Sequence, residues 1–489
     1  MTVGGRAGDE GLPEPRSSVA SLLAAAASAV GGIVLALIAL SALWRTGDVL
    51  GILLADFPGP YGRLGLALTA ALLAAGAGVV VLARRAAVGD WLPGPALPVL
   101  IVALAIAVRV AMAVVADAPL RGENDIIHQQ ALGILDGTCC FSHRPTGYPA
   151  ALAAAYAVLG VGPTTIEALN IAFAAVTAAL VWQIGSVAVG RPVAALAATA
   201  YAVAPSQVLV SLVPLTEPMY TMLVAGAVRA GIALERQPII LAAVACGGLL
   251  AAGQYVRATA ASLLAPLALL PLLMGWTLWR SVARAALIGA VFGVLMLPVV
   301  GYNLQRNDAL SVSTSAYGGW SLYVGANREY GGQWNSEDAA RLARFPGETW
   351  WARSEYAGAL FVDRVLEDPG GSLAILPAKF GTVWGDETYA ATYALRGGPV
   401  TRDVHVGWLT SQLFWVVIVV LAALGLLTSR RDPTPTALAI AMIVSLVALT
   451  HLALEVHSRY HAYLVPLLCV LAAIGVEWLA QRWRAQRLI

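Results

Sequence analysis

Charge is what this chain has least of. Only 12% of its 489 residues are Asp, Glu, Lys or Arg, about half the share usual in a soluble domain, which excludes an ordinary water-soluble globule. Lysine is almost missing: Lys379 is the single one, so the basic complement is arginine. That bias, with abundant alanine, fits a GC-rich bacterial genome and says nothing of mechanism. A net charge of +2 argues against nucleic acid or an acidic surface as partner. Cysteine is scarce as well. Cys139, Cys140, Cys246 and Cys469 lack metal-ligand spacing. Cys246 and Cys469 lie in apolar runs, where a small packing residue is expected. Cys139 and Cys140 are adjacent, and a bridge between neighbours is strained, so a structural disulfide is not expected there.

Hydrophobic sequence fills the space that charge leaves, at 59% of the chain. It comes in runs of about 18 to 25 residues, each long enough to cross a bilayer. The runs cover 18–43, 62–83, 95–116, 164–189, 192–212, 215–233, 238–256, 258–275, 281–301, 408–428, 434–452 and 460–481. The expectation is an all-α polytopic membrane protein with about twelve transmembrane helices. The first run is too long, and lacks the cleavage site, for a removed signal peptide. Residues 1–17 read as a disordered cytoplasmic tail and 18–94 as two extra N-terminal helices. A transmembrane module would cover 95–301 with an outer loop at 117–163. A large mixed cap loop would cover 302–407, and C-terminal helices with a basic tail 408–489.

Arginine sets the orientation, because basic residues collect in cytoplasmic loops. Arg84, Arg85, Arg191, Arg236, Arg280, Arg284, Arg430, Arg431, Arg482, Arg484 and Arg487 fall on every second connection. Both termini are then cytoplasmic, and the loops at 117–163 and 302–407 face outward. Within the first, Tyr148 to Leu159 is too short to span and reads as a re-entrant or interfacial helix.

The polar residues near the membrane gather at the outer ends of the runs. The densest group is Arg121-Gly-Glu-Asn-Asp-Ile-Ile-His128, followed by His143-Arg-Pro-Thr-Gly-Tyr-Pro149. Ionisable groups at the hydrocarbon boundary are costly and mark sites or pathways. Glu123 and Asp125 are both candidates for a general base that deprotonates an acceptor hydroxyl. They also permit a divalent metal with His128, since hard cations take oxygen ligands. Glu217, just before Pro218, is either a helix-start acid or a site acid that orients a substrate hydroxyl. Arg257 sits between two apolar runs and needs an anionic partner, either Glu217 or Asp125 or a phosphate held bidentately. Arg459 with Tyr460 invites the same reading, and Arg109 lies deeper, able to snorkel upward. Tyr255 stands beside Arg257. His128, His143, His457 and His461 carry the weakest signals, since interfacial histidines are usually structural.

In order along the chain, these stretches resemble a known family. Glu123-Asn-Asp125 through Leu135-Asp136-Gly137 is similar to an acidic first-loop start, and Arg144-Pro-Thr-Gly147-Tyr148-Pro149 is similar to a Pro-Pro-Gly-Tyr-Pro element. Leu215-Thr-Glu217-Pro-Met, the Arg257 helix pair, Thr314 to Asn327 and Ser458-Arg459-Tyr460 follow in matching order. Together they resemble the protein O-mannosyltransferase-like group (dolichyl-phosphate-mannose-protein mannosyltransferase, family 39) of C-type glycosyltransferases. The resemblance implies that fold, and an inverting transfer from a polyprenyl-phosphate sugar to an acceptor hydroxyl outside the cytoplasm of a bacterial plasma membrane. It implies a first-loop base, with Glu217 orienting the acceptor and Arg257 and Arg459 gripping phosphate. Arg109, His128, Arg144, Tyr148, Tyr255 and Tyr460 would complete the substrate site. One position departs from the pattern: counting back from Ala131 places the family's aspartate on Glu123, and its tyrosine on Ile127.

Partners would be the lipid-linked donor, the bilayer, and a secreted protein, polysaccharide or glycolipid acceptor. A transporter or flippase of a lipid-linked sugar, or a non-catalytic scaffold, is the alternative. Polar groups confined to one rim under a one-sided cap favour the enzyme, because transporters place theirs at the midplane. The orientation is checked by fusing a reporter enzyme that is active only outside the cytoplasm. Fused after Gly397 it should be active, and after Arg431 inactive; the reverse pattern overturns the assignment.

Overall fold

The computed structural model describes residues 18–56, 96–116, 118–139, 144–233, 239–397, 401–429 and 433–486. The expected tail 1–17, the run 62–83, His143 and the loop arginines Arg84, Arg85, Arg236, Arg430, Arg431 and Arg487 lie outside them. The described chain is α-helical. Its one pairing of extended backbone is an isolated parallel bridge between Gln333 and Val456.

The helices are α1 Ser18–Asp56, α2 Ala96–Val115, α3 Glu123–Leu135, α4 Gly147–Leu159, α5 Pro163–Ala188, α6 Arg191–Val203, α7 Pro205–Leu209, α8 Glu217–Ile232, α9 Ile239–Val256 and α10 Leu264–Leu273. They continue as α11 Leu278–Asn307, α12 Gly318–Gly325, α13 Ser336–Leu342, α14 Trp350–Glu367, α15 Pro369–Ala374, α16 Leu376–Trp384, α17 Tyr389–Leu395, α18 Arg402–Ser429, α19 Pro435–Ala453 and α20 Val465–Gln486. Short 3-10 turns run over Val210–Leu212, Ala260–Leu263 and Ser458–Leu464.

The protein is a polytopic membrane protein, but the count of twelve spans is wrong. Among the described residues 7 helices are long and apolar enough to cross, or up to 8 if one bent pair is a single span. Proline explains part of the difference. The run at 192–212 bends by 55° between α6 and the stretch from Pro205, since proline breaks the ladder of the preceding turn. Length explains three more, the runs at 215–233, 238–256 and 258–275, and the run 62–83 lies outside the described residues. Helix α8 has 16 residues, about 24 Å at 1.5 Å per residue, short of the roughly 30 Å hydrocarbon core. Nearly all of α8 is buried, so its apolar residues pack against protein and not against lipid.

The expected mixed cap is helical too. Its first half builds a small core from Trp320, Tyr323, Val324, Leu342 and Ala357. Its second half dips into the main core through Val383, Trp384, Tyr389, Ala390 and Ala394. Glu455 N–H donates to Ser321 O at 2.7 Å and Val456 N–H to Gly332 O at 3.0 Å, binding the cap to the segment before the last span. Cys139 is disulfide-bonded, contrary to expectation, while Cys246 and Cys469 are free and buried.

Helices α18 and α20 meet backbone to backbone. A Cβ on Gly425 would run into Leu471 O, and one on Gly475 into Leu421 O. Small residues at such crossings let membrane helices pack where no hydrophobic driving force separates helix from lipid. Gly425→Leu should therefore lower stability by about 1–3 kcal/mol and reduce the yield of monodisperse protein. Gly293→Leu on α11, where a Cβ meets nothing within 4 Å, is the control and should leave both unchanged.

Candidate functional site

The site starts from two helix beginnings. Gly122, at φ 53°, turns the chain into α3, and Glu123 is the first residue of that helix. Glu217 opens α8, followed by Pro218, which tolerates the first turn because its missing N–H has no helical partner there. The positive end of each helix dipole thus faces a carboxylate. Three arginines arrive from other elements: Arg144 just before α4, Arg257 just after α9, and Arg459 in the Ser458–Leu464 turn.

These five groups alternate in sign. Arg144 Nη1 is 3.7 Å from Glu123 Oε1, and Arg459 Nη2 is 2.5 Å from Glu123 Oε2. Arg459 Nε is 3.8 Å from Glu217 Oε1, and Arg257 Nη2 is 3.3 Å from the same oxygen. The Thr216 hydroxyl donates to Glu217 Oε2 at 3.4 Å. Aromatic faces surround the cations: Arg257 lies over Tyr220 and Tyr460, Arg459 over Tyr393 and Tyr460, and Arg144 over Tyr317. Glu217 is 1% exposed at its side chain, Glu123 26%. The two acids therefore differ in access: Glu123 faces an opening and Glu217 does not. Burial pushes the Glu123 carboxyl up, but Arg459 and Arg144 outweigh it and hold the pKa below its ordinary value.

Helix geometry separates the two first-loop acids. Successive residues turn by about 100°, so positions two apart point roughly 200° apart. Glu123 faces the arginines, while Asp125 accepts from Gln129 Nε2 at 3.3 Å on the same helix. The stretch expected as a loop is this helix, and it brings in Glu123 alone. Arg257 takes Glu217 as its partner.

Other candidates serve elsewhere. His128 Nδ1 is 2.8 Å from the Tyr156 hydroxyl. The Tyr148 hydroxyl donates to Asn170 Oδ1 at 2.9 Å, and Asn170 Nδ2 donates to Val213 O at 2.8 Å, bracing the segment that leads to Glu217. Arg109 is fully buried and donates to Ser211 Oγ and to the carbonyls of Ala105 and Ala202 at 3.2, 2.9 and 3.0 Å. It ties α2 to α6 and does not reach the cluster. Tyr255 donates to Leu295 O at 3.1 Å. His461 stacks between Trp384 and Trp415 and pairs with Glu387 at 2.5 Å. Among the described residues no group of three or more His, Cys, Asp or Glu is placed to hold a metal.

Sequence reasoning passed over Glu455, an acid isolated in an apolar stretch, which was the available signal. Tyr460 donates to its Oε1 at 3.4 Å. Next to it, His457 Nδ1 accepts from Arg459 N–H at 3.2 Å. That role needs an unprotonated ring, and burial with Arg459 nearby pushes its pKa down to about 3.

No family model and no curated protein matches the chain. Among solved structures it is similar to the archaeal oligosaccharyltransferase AglB from Archaeoglobus fulgidus, in complex with an inhibitory peptide and a dolichol-phosphate. The TM-score is 0.50 at 11% identity, over 80% of this chain and 51% of that one. The apo form of that oligosaccharyltransferase gives the same values. ArnT from Cupriavidus metallidurans bound to undecaprenyl phosphate aligns with TM-score 0.40 at 12% identity, over 78% of each chain. The chain spans about half the length of the oligosaccharyltransferase. The likeness, at 11% identity, is one of fold alone, and does not single out the family-39 group.

Burial raises the Glu455 carboxyl to about 7 from an ordinary 4.5, against the pull of Arg459 and the Tyr460 hydrogen bond. The folded protein then holds this proton more tightly than the unfolded chain, so the contribution of Glu455 to stability falls as pH rises from 4.5 toward 7. Glu123 acts below 4.5, outside that window. Within the same window His457, pushed down to about 3 from an ordinary 6.5, works the other way and adds stability as pH rises, so the Glu455 contribution is read as the difference between the parent and Glu455→Gln in thermal unfolding of the solubilised protein. That difference should change by about 1–3 kcal/mol between pH 4.5 and 7, and a difference independent of pH would refute the assignment.

Proposed function

We propose that this protein is a membrane glycosyltransferase that moves a monosaccharide from a polyprenyl-phosphate carrier to an acceptor hydroxyl, with inversion, on the outer face of a bacterial plasma membrane. The observation that carries the reading is the alternating cluster Arg144, Glu123, Arg459, Glu217 and Arg257, set in a C-type glycosyltransferase fold.

The chemistry needs both signs. The acceptor oxygen attacks the anomeric carbon, the bond from that carbon to the phosphate oxygen breaks, and the acceptor proton passes to a base. The donor phosphodiester carries one negative charge, and the departing lipid monophosphate gains a second. Arginines beside that oxygen therefore bind the transition state more tightly than the ground state. Arg257 and Arg459 fit this role, because guanidinium forks match phosphate. Among the described residues Arg459 Nε and Glu217 Oε1 have no hydrogen-bond partner, and their pairing at 3.8 Å is loose enough to yield to a phosphate.

Glu123 is the base of choice, being the more accessible acid. Its pKa is held down while Arg459 faces it. When a donor phosphate engages Arg459, that hold weakens and the carboxylate becomes a stronger base. Glu217 keeps Arg257 and Arg459 in place.

The test is sugar transfer from labelled polyprenyl-phosphate sugars by the protein in lipid nanodiscs. Glu123→Gln should lower the rate by about 10²–10⁴-fold, while Asp125→Asn stays near the parent. Full activity in Glu123→Gln would sink the mechanism, and Asp125→Asn losing it instead would move the base to Asp125.

A further inference from the structure

A second feature adjoins the cluster. A cleft of about 440 Å³ runs along the outer half of α11 and is roofed by the start of α14. Arg144 closes one end of it, and of the five clustered charges only Arg144 is among its lining residues. Pro298 and Val299 line its lower part; Tyr302, Asn307 and Trp350 line the upper part with the hydroxyl-bearing turn at 313–315.

The two parts differ in surroundings. Helix α11 has 30 residues, about 45 Å against a hydrocarbon core of roughly 30 Å, so its polar end at Tyr302 to Asn307 projects beyond the membrane interior. Below, Val294, Leu295 and Leu297 on the same helix are exposed, as residues facing lipid tails are. The cleft is thus wet and aromatic above and continuous with a lipid-facing helix surface below. Trp350 is 40% exposed and stands edge-to-face with Tyr317, ring centres 6.2 Å apart. Tyr317 in turn lies beside Arg144, which pairs with Glu123. An aromatic shelf therefore leads from the cleft to the proposed base.

We propose that this cleft takes the acceptor, and that the acceptor is a saccharide carried on a membrane lipid: its sugar stacks on Trp350 and hydrogen-bonds to Asn307 and the 313–315 hydroxyls, and its apolar tail lies along α11 beside Pro298. This rests on the glycosyltransferase reading and deepens it. Amphipathic aromatic faces with nearby amides and hydroxyls suit the mixed apolar and polar surface of a pyranose. An extended peptide would have no use for the lipid-facing continuation. The donor is placed elsewhere, because Arg257 and Arg459 are not among the lining residues.

The experiment compares n-octyl pyranosides, below their micelle-forming concentration, with a serine- and threonine-rich peptide as acceptors, using labelled polyprenyl-phosphate hexoses and pentoses and protein in nanodiscs. The expected result is saturable transfer to an octyl pyranoside in preference to the peptide. Trp350→Ala should raise the KM for the glycoside about tenfold, the loss of one aromatic contact of this kind, and Trp350→Phe should recover most of it. Should Trp350→Ala not fold, Asn307→Ala, at an exposed helix end, should raise the same KM. Preference for the peptide, or a glycoside KM unmoved in folded variants, overturns the proposal while leaving the transferase intact. If nothing is transferred to any acceptor, the transferase reading fails instead. Saturation-transfer NMR of the octyl pyranoside then decides the cleft: binding lost in Trp350→Ala supports a saccharide site, and no binding to the parent overturns it.

Discussion

Arg459 holds this structure together where it matters. Its guanidinium faces Glu123 from the start of α3 and Glu217 from the start of α8, while its own backbone sits in the turn that opens the last span. Three parts of the chain far apart in sequence are joined by one cation. Buried ion pairs are weak evidence for net stability, yet removing one member leaves an uncompensated charge, at a cost of about 3–5 kcal/mol. Remove the arginine and two acids are left with less compensation; remove an acid and the arginines lose theirs. That interdependence is why the cluster has to be read as a unit.

The surrounding fold keeps that unit in register. Tyr148 and Asn170 brace the backbone before Glu217, and His457 caps the turn that carries Arg459. The cap is bound by Ser321 and Gly332 to the segment just ahead of it, and Lys379 Nζ donates to Gly325 O at 2.7 Å from inside. Burial holds that single lysine's pKa down to about 8. The cap helices α12 to α17 are thus not a detachable lid. Their second half belongs to the same core as the spans, so the site and the membrane part fold together.

The class of the protein was legible from composition, and the polar rim from the position of ionisable residues at the ends of apolar runs. Glu123, Glu217, Arg257, Arg144, Arg459 and Tyr460 were all found that way, because a charge in such a place needs a partner and few partners exist. The number of spans was not legible. An apolar run reports only that water is excluded, and α8 is shielded by protein as effectively as lipid would shield it. Tyr148 and Arg109 misled for a related reason: each is polar and near the rim, but its hydrogen bonds go to side chains and carbonyls within the packing. Glu455 carried the same signal, an isolated acid among apolar residues, but its partner Tyr460 five residues on shows only in the fold.

Under the proposed reaction Glu217 and Arg257 are partners of each other at rest, and Arg257 is a substrate ligand in turn. A guanidinium at the hydrocarbon boundary cannot stand uncompensated between catalytic cycles. The acids supply that compensation in the resting protein, and in the proposed reaction the loose contact at Glu217 lets a stronger anion take its place. Under the proposed reaction the resting ion pairs and the substrate contacts are successive uses of the same donors. The acids must then be close enough to neutralise the arginines and far enough to be displaced by a phosphate. The spread from 2.5 Å at Glu123 to 3.8 Å at Glu217 meets both requirements at one arginine. The tight contact holds the base quiet, and the loose one leaves Nε to meet the donor.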